Sequence, residues 1–341
     1  MKTIILCAPL DFGFYDTIKN GLENIGYKVY GFPIEDANYK YKNIYSRIIN
    51  FLRKVLFQDN NYKNKLKLKE RSIYLENLLL NVPNVESTLF IRPDMYPIDF
   101  IEKIKKKSKK TIAYHWDSIK RFPHVAEYIN MFDRFFLFDR NDLVFYPQAI
   151  FTTNFFIPDL STETIEIPKT AYMIGSNYSN RVNNSITLKN VLTSKGYICN
   201  FILKTKDPRI TNILKDNNIK TIKESISYSE NLKNVKKSEI VIDLHNLDQD
   251  GLSFRVFEAL NYNKKLITTN PSIKLYDFYY PENIFIWNEN NINELELFLN
   301  CTMVNIPEIV KSKYNLNNWI SYVMDESPYI NIDIHHSNIK N

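Results

Sequence analysis

Short apolar runs alternate along the chain with segments whose apolar residues recur at helical spacing. A first series of predicted strands comprises Thr3–Cys7, Lys28–Gly31, Thr88–Ile91, Thr111–Tyr114, Arg134–Phe138 and Ile150–Thr153. A second series comprises Ala171–Ile174, Cys199–Leu203, Ile240–Asp243, Lys265–Thr268 and Ile284–Trp287. Helical patterns lie between most of them, for example at Phe14–Ile25, Ser185–Lys195 and Ser253–Asn261, and a last one covers Leu316–Met324. Because this alternation is typical of parallel sheets covered by helices, the sequence predicts an α/β fold with two doubly wound domains.

A polar segment between the two series, Pro158–Pro168, is bounded by prolines and has no clear period. It is therefore the predicted linker, at residues 158–168. The N-terminal domain is expected at 1–157, the C-terminal domain at 169–325 and a polar tail at 326–341. A chain of 341 residues is long enough for two such domains.

The composition excludes several classes of protein. Hydrophobic residues make up 44% and aromatic residues 14% of the chain, which is ample for burial and excludes global disorder. The formal charge of +6 is small for a dedicated nucleic-acid binder, so no nucleic-acid partner is expected. No apolar run reaches the roughly 18 residues of a membrane span. The first apolar run reads as a strand rather than a signal peptide, so a cytoplasmic protein is expected.

Residues 38–72 form an insertion between the second and third predicted strands. The insertion contains ten Lys and Arg residues against two acids, Asp59 and Glu70. Five apolar residues within it recur at helical spacing: Ile44, Ile48, Leu52, Val55 and Leu56. A basic amphipathic helix can lie on an anionic membrane surface, which would make the protein peripheral at the inner face of the plasma membrane. The alternative is a surface helix that packs its apolar stripe on its own domain.

Candidate chemistry concentrates at residues 240–270. The buried strand Ile240–Asp243 leads into a polar loop, and a helix begins near Gly251. A helix N-terminus at the carboxyl end of a parallel strand suits a phosphate group. Along this helix Ser253 offers a hydroxyl, Arg255 a two-pronged donor for a diphosphate, and Glu258 a carboxylate for both hydroxyls of a ribose. No GxGxxG or GxxxxGK[ST] pattern is present, which weakens NAD-type and P-loop interpretations.

The stretch GLSFRVFEALNYNKKLITTN at 251–270 is similar to the nucleotide-sugar signature of GT-B glycosyltransferases, especially those of bacterial lipopolysaccharide and capsular polysaccharide biosynthesis. The resemblance extends to YHWDS at 114–118 and FDRFFLFDRND at 132–142. It implies two Rossmann-like domains that face each other across a cleft, with the nucleotide-sugar in the C-terminal domain. It also implies catalysis without a bound metal or any cofactor besides the donor.

The resemblance further implies donor-binding roles. Glu258 would hold the ribose, Gly251, Ser253 and Arg255 would face the diphosphate and sugar, and Gly175 and Arg181 would form the opposing phosphate wall. Four polar residues of the loop after Ile240 complete the candidate donor site: Asp243, His245, Gln249 and Asp250. Many retaining enzymes carry two glutamates separated by seven intervening residues. Asp250 occupies the first of these positions and Glu258 the second, so retention and inversion both stay open. The Asp248-Gln249-Asp250 run has a metal-binding DxD form but is interpreted as loop acids near the sugar.

Three residues are candidates for the catalytic base: Asp11 after the first strand, and His115 and Asp117 after the fourth. The alternative for the last two is a structural histidine and a helix-capping aspartate. The expected activity is a transferase of the EC 2.4 type that moves a sugar to a bacterial surface glycan or lipid-linked oligosaccharide acceptor. A sugar-nucleotide epimerase and a non-catalytic two-domain binding protein are the alternatives. The donor sugar, the nucleotide base, the linkage and the oligomeric state are not determined by the sequence.

Overall fold

The computed structural model describes residues 1–10, 13–35, 41–59, 62–158, 165–178 and 180–333. Parts of the predicted insertion, linker and tail (38–40, 60–61, 159–164 and 334–341) lie outside the described residues, as does the candidate base Asp11. The chain forms two compact units. Unit 1 comprises Met1–His115 and Pro123–Phe136, and unit 2 comprises Trp116–Phe122 and the chain from Leu137 onward.

The first sheet has six strands: β1 (Lys2–Pro9), β2 (Tyr27–Ile34), β3 (Val85–Ile91), β4 (Ser108–His115), β5 (Arg134–Leu137) and β6 (Ile150–Phe151). Their spatial order is β2-β1-β3-β4-β5-β6. The strand β1 pairs in parallel with β2 and β3, and β3 pairs in parallel with β4. The associated helices are α1 (Phe14–Asn24), α2 (Ile44–Phe57), α3 (Tyr62–Leu79), α4 (Ile98–Lys107) and α5 (Arg140–Phe145). Short 3₁₀ helices cover Pro93–Met95 and Pro123–Met131.

The second sheet also has six strands: β7 (Thr170–Ser176), β8 (Ile198–Lys204), β9 (Lys220–Ile222), β10 (Ile240–Asp243), β11 (Lys265–Thr268) and β12 (Ile284–Ile286). Their order is β12-β11-β10-β7-β8-β9, and every neighbouring pair is parallel. The helices of this part are α6 (Arg181–Ser194), α7 (Pro208–Asp216), α8 (Tyr228–Lys237), α9 (Phe254–Asn261), α10 (Leu295–Asn300), α11 (Glu308–Lys313) and α12 (Leu316–Met324). Two 3₁₀ helices, Pro271–Leu275 and Ile292–Glu294, complete it.

The strand order of the second sheet reverses between β7 and β10. The chain leaves β7 toward β8 and β9 on one side, then returns to place β10, β11 and β12 on the other. Such a reversal opens a crevice at the carboxyl ends of the two central strands, because the flanking connections diverge there. The loops that follow β7 and β10 therefore meet at the position where an α/β sheet accommodates a ligand.

The predicted α/β fold is confirmed. Strands β10 and β11 have the bounds that the apolar pattern predicts, because continuous buried runs are typical of central parallel strands. Helix α12 also has its predicted bounds. Helix α6 begins at Arg181 rather than Ser185, and strand β9 was not predicted. Among the described helices, none combines the length and the apolar composition needed to cross a bilayer.

Candidate functional site

The carboxyl ends of β7 and β10 carry the main polar cluster of unit 2. Asp243, the last residue of β10, is buried and accepts hydrogen bonds from Ser253 Oγ at 2.8 Å and from Arg255 Nη1 at 3.0 Å. Ser253 is the N-cap residue of α9, but its hydroxyl is used on Asp243 and provides no side-chain cap. The first-turn N–H groups of α9 thus lack the usual capping acceptor, so this helix end favours an anion.

Arg181, at the start of α6, lies over Gly175 in β7. A Cβ atom at position 175 would lie 3.0 Å from Arg181 Nη1, so a side chain there would force the guanidinium to move. The guanidinium donates to backbone carbonyl groups, from Nε to Leu244 O at 2.9 Å and from Nη1 to Ser176 O at 2.7 Å. Burial, followed by the charge of Arg255, lowers the pKa of Arg181 to about 10, so the group stays charged at neutral pH.

Arg121 completes this group of cations, although nothing in the sequence pattern predicted a role for it. Its Nη1 donates to Asp117 Oδ1 at 2.6 Å and its Nη2 donates to the Tyr178 hydroxyl at 2.7 Å. The guanidinium groups of Arg121 and Arg181 lie 4.9 and 5.4 Å from the centroid of the same Tyr178 ring. We call Arg121, Arg181 and Arg255 the arginine cluster. The charges of the other two members both lower the pKa of Arg181, so each of them is close enough to repel its guanidinium.

The loop between β10 and α9 is fixed by contacts on both sides. Asp139 accepts from the Asp250 N–H at 2.8 Å, Asn270 Nδ2 donates to Asp250 O at 2.9 Å, and Ser118 Oγ donates to Asp248 O at 2.7 Å. The Asp250 carboxylate accepts a hydrogen bond from the Asn141 amide. Burial raises the pKa of Asp139, against the opposing effect of its backbone hydrogen bond from Asp250. Held in this way, the loop needs little ordering on ligand binding.

Close packing against Phe138 explains why position 251 is a glycine. A Cβ atom there would lie 2.4 Å from the Phe138 ring and 2.8 Å from the Phe138 carbonyl oxygen. The resemblance assigned Gly251 to the diphosphate. The close contact with Phe138 accounts for the glycine without a ligand, and the diphosphate role stays a prediction.

His245 and Gln249 lie in the same loop. Thr269 Oγ1 accepts the backbone N–H of His245 at 2.9 Å and lies 2.7 Å from His245 Nδ1. Which of the two atoms donates in the Nδ1 contact depends on the imidazole tautomer, and donation by the hydroxyl corresponds to the tautomer with its proton on Nε2. Burial lowers the pKa of His245, so the ring is neutral near pH 7. Within the described residues, the buried atoms Gln249 Oε1 and Arg255 Nε have no hydrogen-bond partner, which marks an incomplete polar site.

Glu258 differs from the accessible carboxylate expected for a ribose contact. Glu258 is only 3% exposed, and its Oε2 atom accepts a hydrogen bond from Asn231 Nδ2 of α8 at 2.9 Å. The Tyr228 hydroxyl also hydrogen-bonds this carboxylate. Burial raises the pKa of Glu258, and Arg255 and Asn231 oppose the rise. A ribose would have to replace one of these α8 partners, so the ribose role of Glu258 stays a prediction.

A second polar cluster lies in unit 1, after β3 and β4, and centres on Asp94. Arg92, in the left-handed backbone conformation with φ of 58°, donates from Nε to Asp94 Oδ1 and from Nη2 to Oδ2, both at 2.8 Å. Two histidine Nε2 atoms lie near this carboxylate, that of His115 at 3.2 Å and that of His124 at 3.6 Å. Burial acts to raise the pKa of Asp94, but the hydrogen bonds from Arg92 and the charge of His115 hold it well below its usual range.

These positions change the interpretation of the candidate bases. His115 has no exposed side-chain surface, and its role as the base stays a prediction. Asp117 is ion-paired with Arg121 in unit 2. His124 is 30% exposed at the same Asp94 carboxylate and was missed, because it follows a turn with no apolar period. Across the described residues, no three His, Cys, Asp or Glu side chains converge as a metal site.

Comparison with known proteins places the fold. No family model matches the chain, and no curated protein sequence matches it. Among solved structures, the lipopolysaccharide outer core galactosyltransferase WaaB in its apo form is 13% identical, with a TM-score of 0.54 over 95% of this chain and 99% of that one. AviGT4, a glycosyltransferase involved in avilamycin A biosynthesis, is 9% identical, with a TM-score of 0.51 over 95% and 97%. An α-glucosyltransferase in complex with UDP and a 13-mer DNA containing a HMU base is 12% identical, with a TM-score of 0.50 over 87% and 89%.

At these identities the likeness establishes the fold. The two six-stranded α/β sheets match the two Rossmann-like domains of solved glycosyltransferases of the GT-B fold, so the predicted fold class is confirmed.

Proposed function

We propose that the protein is a metal-independent glycosyltransferase of the EC 2.4 type that moves a sugar from a nucleotide-sugar donor to a glycan acceptor. The observation that carries the proposal is the arginine cluster at the switch point of the second sheet. Burial and the charges of Arg255 and Arg121 lower the pKa of Arg181, which disfavours its charged form, and a nucleoside diphosphate supplies two negative phosphates that would offset this. Arg181 donates only to carbonyl groups among the described residues, so its charge remains available to such a ligand.

In this proposal Arg181, Arg255 and Arg121 bind the two phosphates, and the N-terminus of α9 at Ser253 faces the same group. Gly175 leaves room for the Arg181 guanidinium. Glycosyl transfer breaks the bond between the sugar and the diphosphate, and negative charge then grows on the departing phosphate oxygen. Preorganised cations and a helix N-terminus stabilise that charge most in the transition state, which is what accelerates the reaction.

The other donor contacts follow from the loop. His245 presents an Nε2–H donor to the diphosphate or to a sugar hydroxyl, while Gln249 and Asp250 accept from sugar hydroxyls. Asp243 orients Ser253 and Arg255 through its two hydrogen bonds and does not itself touch the donor. Glu258 accepts the ribose hydroxyls once Tyr228 moves aside.

For the acceptor side we propose His124, positioned by Asp94, as the base in an inverting reaction. His124 is the partly exposed imidazole of the Asp94 cluster, whereas His115 is enclosed. A deprotonated carboxylate beside an imidazole stabilises the imidazolium that forms when the acceptor proton is taken. Substitution His124→Gln should lower kcat and remove the acidic limb of the pH–rate profile. A variant with an unchanged profile would exclude this base.

The acceptor in this proposal is a bacterial surface glycan of the lipopolysaccharide or capsule type, carried as a lipid-linked oligosaccharide on the cytoplasmic side. The likeness of the architecture to that of a lipopolysaccharide outer core galactosyltransferase supports this choice of acceptor.

A two-step experiment tests the function. First, the melting temperature is measured with UDP-, GDP-, CMP- and TDP-sugars, because a ligand that binds the native state stabilises it by mass action. Second, the best donor is supplied with a radiolabelled sugar and a membrane extract as acceptor. Labelled glycan product supports transfer. A changed free sugar nucleotide indicates an epimerase, binding without turnover indicates a binding protein, and the absence of any binding refutes the proposal.

A further inference from the structure

Helix α2 of unit 1 exposes almost all of its apolar side chains. The exposed residues are 41% to 74% accessible: Ile44, Tyr45, Ile48, Ile49, Phe51, Leu52, Val55, Leu56 and Phe57. Asn50 is the buried residue of this helix. Isolated exposed apolar residues are ordinary, but a contiguous apolar face over a 14-residue helix marks an interaction surface.

The helix is amphipathic, and its faces are inverted relative to those of an ordinary surface helix. At about 100° per residue, eight of the nine apolar side chains fall within one half of the helix circumference. The opposite half carries Ser46, Arg47, Asn50, Arg53 and Lys54. Asn50 is buried and Ser46 is half-buried, whereas Arg47, Arg53 and Lys54 are exposed. The side of the helix around Asn50 is therefore turned toward the protein, and the apolar half faces solvent. The expectation that this stripe packs on its own domain is therefore wrong.

The charge around this face is positive. Helix α2 contains no acid, and Arg47 and Lys54 are exposed on its flank. Helix α3 adds four lysines along its first half: Lys63, Lys65, Lys67 and Lys69. The nearby acids are paired with cations, Asp59 with Arg53 at 3.0 Å, Glu70 with Lys42 at 3.2 Å and Glu76 with Lys103 at 2.7 Å.

We propose that α2 is a membrane-binding helix that inserts its apolar face into the headgroup region of an anionic bilayer. An apolar face flanked by lysine and arginine is complementary to a surface of acyl chains and acidic headgroups. A second copy of the chain would bring like charges together along the flanks of the same face, which disfavours self-association there. At about 1.5 Å per residue, α2 is about 21 Å long and lies in the plane of the membrane.

This inference goes beyond the proposed transfer reaction and holds whether or not the protein transfers a sugar. It identifies a surface of unit 1 that keeps the protein at a membrane where lipid-linked molecules are present. Donor binding in unit 2, measured as the nucleotide-induced change in melting temperature, should be independent of it. Failure of one proposal therefore leaves the other standing.

The test is co-sedimentation of the full chain with vesicles of phosphatidylcholine and with vesicles of equimolar phosphatidylcholine and phosphatidylglycerol. The apolar variant is Ile48→Ser/Leu52→Ser/Val55→Ser in α2. The matched control is Ile198→Ser/Leu297→Ser/Ile309→Ser, which removes three exposed apolar side chains of unit 2. Because all six residues are exposed, both variants should fold, and their melting temperatures verify this.

We expect binding to the phosphatidylglycerol vesicles, a partition coefficient at least about tenfold lower for the α2 variant, and no change for the control. The variant Arg47→Gln/Lys54→Gln should weaken binding to anionic vesicles by about fivefold for each charge removed. No binding to anionic vesicles, or equal binding by the wild type and the α2 variant, would overturn the proposal. So would a sedimentation-velocity dimer that the α2 variant abolishes.

Discussion

Replacement of Arg181 by methionine tests the arginine cluster most sharply. Methionine keeps much of the length of the side chain but removes the charge and the donors to Leu244 O and Ser176 O. Hydrogen bonds to charged groups contribute about 1.5–3 kcal/mol, so the loss of Arg181 should weaken diphosphate binding by about tenfold to hundredfold. The variant also relieves the repulsion from Arg121 and Arg255, which limits the loss of stability in the free protein.

The loss of nucleotide affinity can be measured as a smaller ligand-induced increase in melting temperature. At a ligand concentration of about 100 times Kd, the wild type gains about 2.7 kcal/mol, which corresponds to an increase in Tm of about 5–10 °C for a unit of this size. If Kd rises a hundredfold, the same concentration gives about 0.4 kcal/mol, or about 1 °C. The control is Arg209→Met, in the same unit, because the Arg209 side chain is 90% exposed and remote from the cluster in sequence and contacts.

Titration calorimetry with the nucleoside diphosphate that gives the largest shift measures Kd directly. We expect the Arg181→Met variant to bind the nucleotide more weakly than the wild type, and the Arg209→Met variant to bind it with unchanged affinity. If Arg181→Met binds the nucleotide within about twofold of the wild type, the reasoning from the arginine cluster is refuted.

Three further predictions concern stability, each measured by denaturant unfolding. Gly251→Ala should destabilise the protein by about 1–3 kcal/mol, because its Cβ would overlap the Phe138 ring. Asp94→Asn should cost about 3–5 kcal/mol, since it removes the charge of a buried carboxylate that pairs with the largely enclosed Arg92 guanidinium. Equal stability of the variant and the wild type would contradict this pairing. The native pKa of Glu258 is raised, so the native state binds the extra proton and wild-type stability should fall as pH rises from the ordinary value of 4.5 through the raised one. Glu258→Gln should flatten that fall, and an unchanged pH dependence would exclude the burial argument.

Matched controls separate these effects from general damage. Gly175→Ala places its Cβ 3.0 Å from Arg181 Nη1, at the end of a long side chain, rather than 2.4 Å from a ring and 2.8 Å from a backbone carbonyl, so it should cost less than Gly251→Ala. Asp207→Asn removes an exposed partner of Arg209 and should leave the unfolding curve unchanged.

Much of the fold follows from the sequence because buried parallel strands are continuous apolar runs. Strands β10 and β11 have the predicted bounds for this reason. Strand β9 was missed because it is a short edge strand of three residues, without a fully buried side chain to mark it. For α2 the period predicts the apolar face but not its direction, since the sequence does not contain what packs against that face.

The candidate site was predictable where its residues are close in sequence. One loop and one helix turn bring together Asp243, Ser253 and Arg255. The sequence pattern of this segment predicted all three as candidate site residues. Arg121 contacts Tyr178, which is 57 residues away in sequence, and the spacing of apolar residues does not predict a contact over that separation. For the same reason, the pairing of His115 with Asp94 could not be derived from sequence spacing.

A crystal structure with the tightest-binding sugar nucleotide tests the central claim most directly. We expect the two phosphates to lie within hydrogen-bonding distance of Arg181 and at least one of Arg121 and Arg255, beside the N-terminus of α9. A diphosphate bound elsewhere on the chain, with those guanidinium groups still in contact only with the protein, would contradict it.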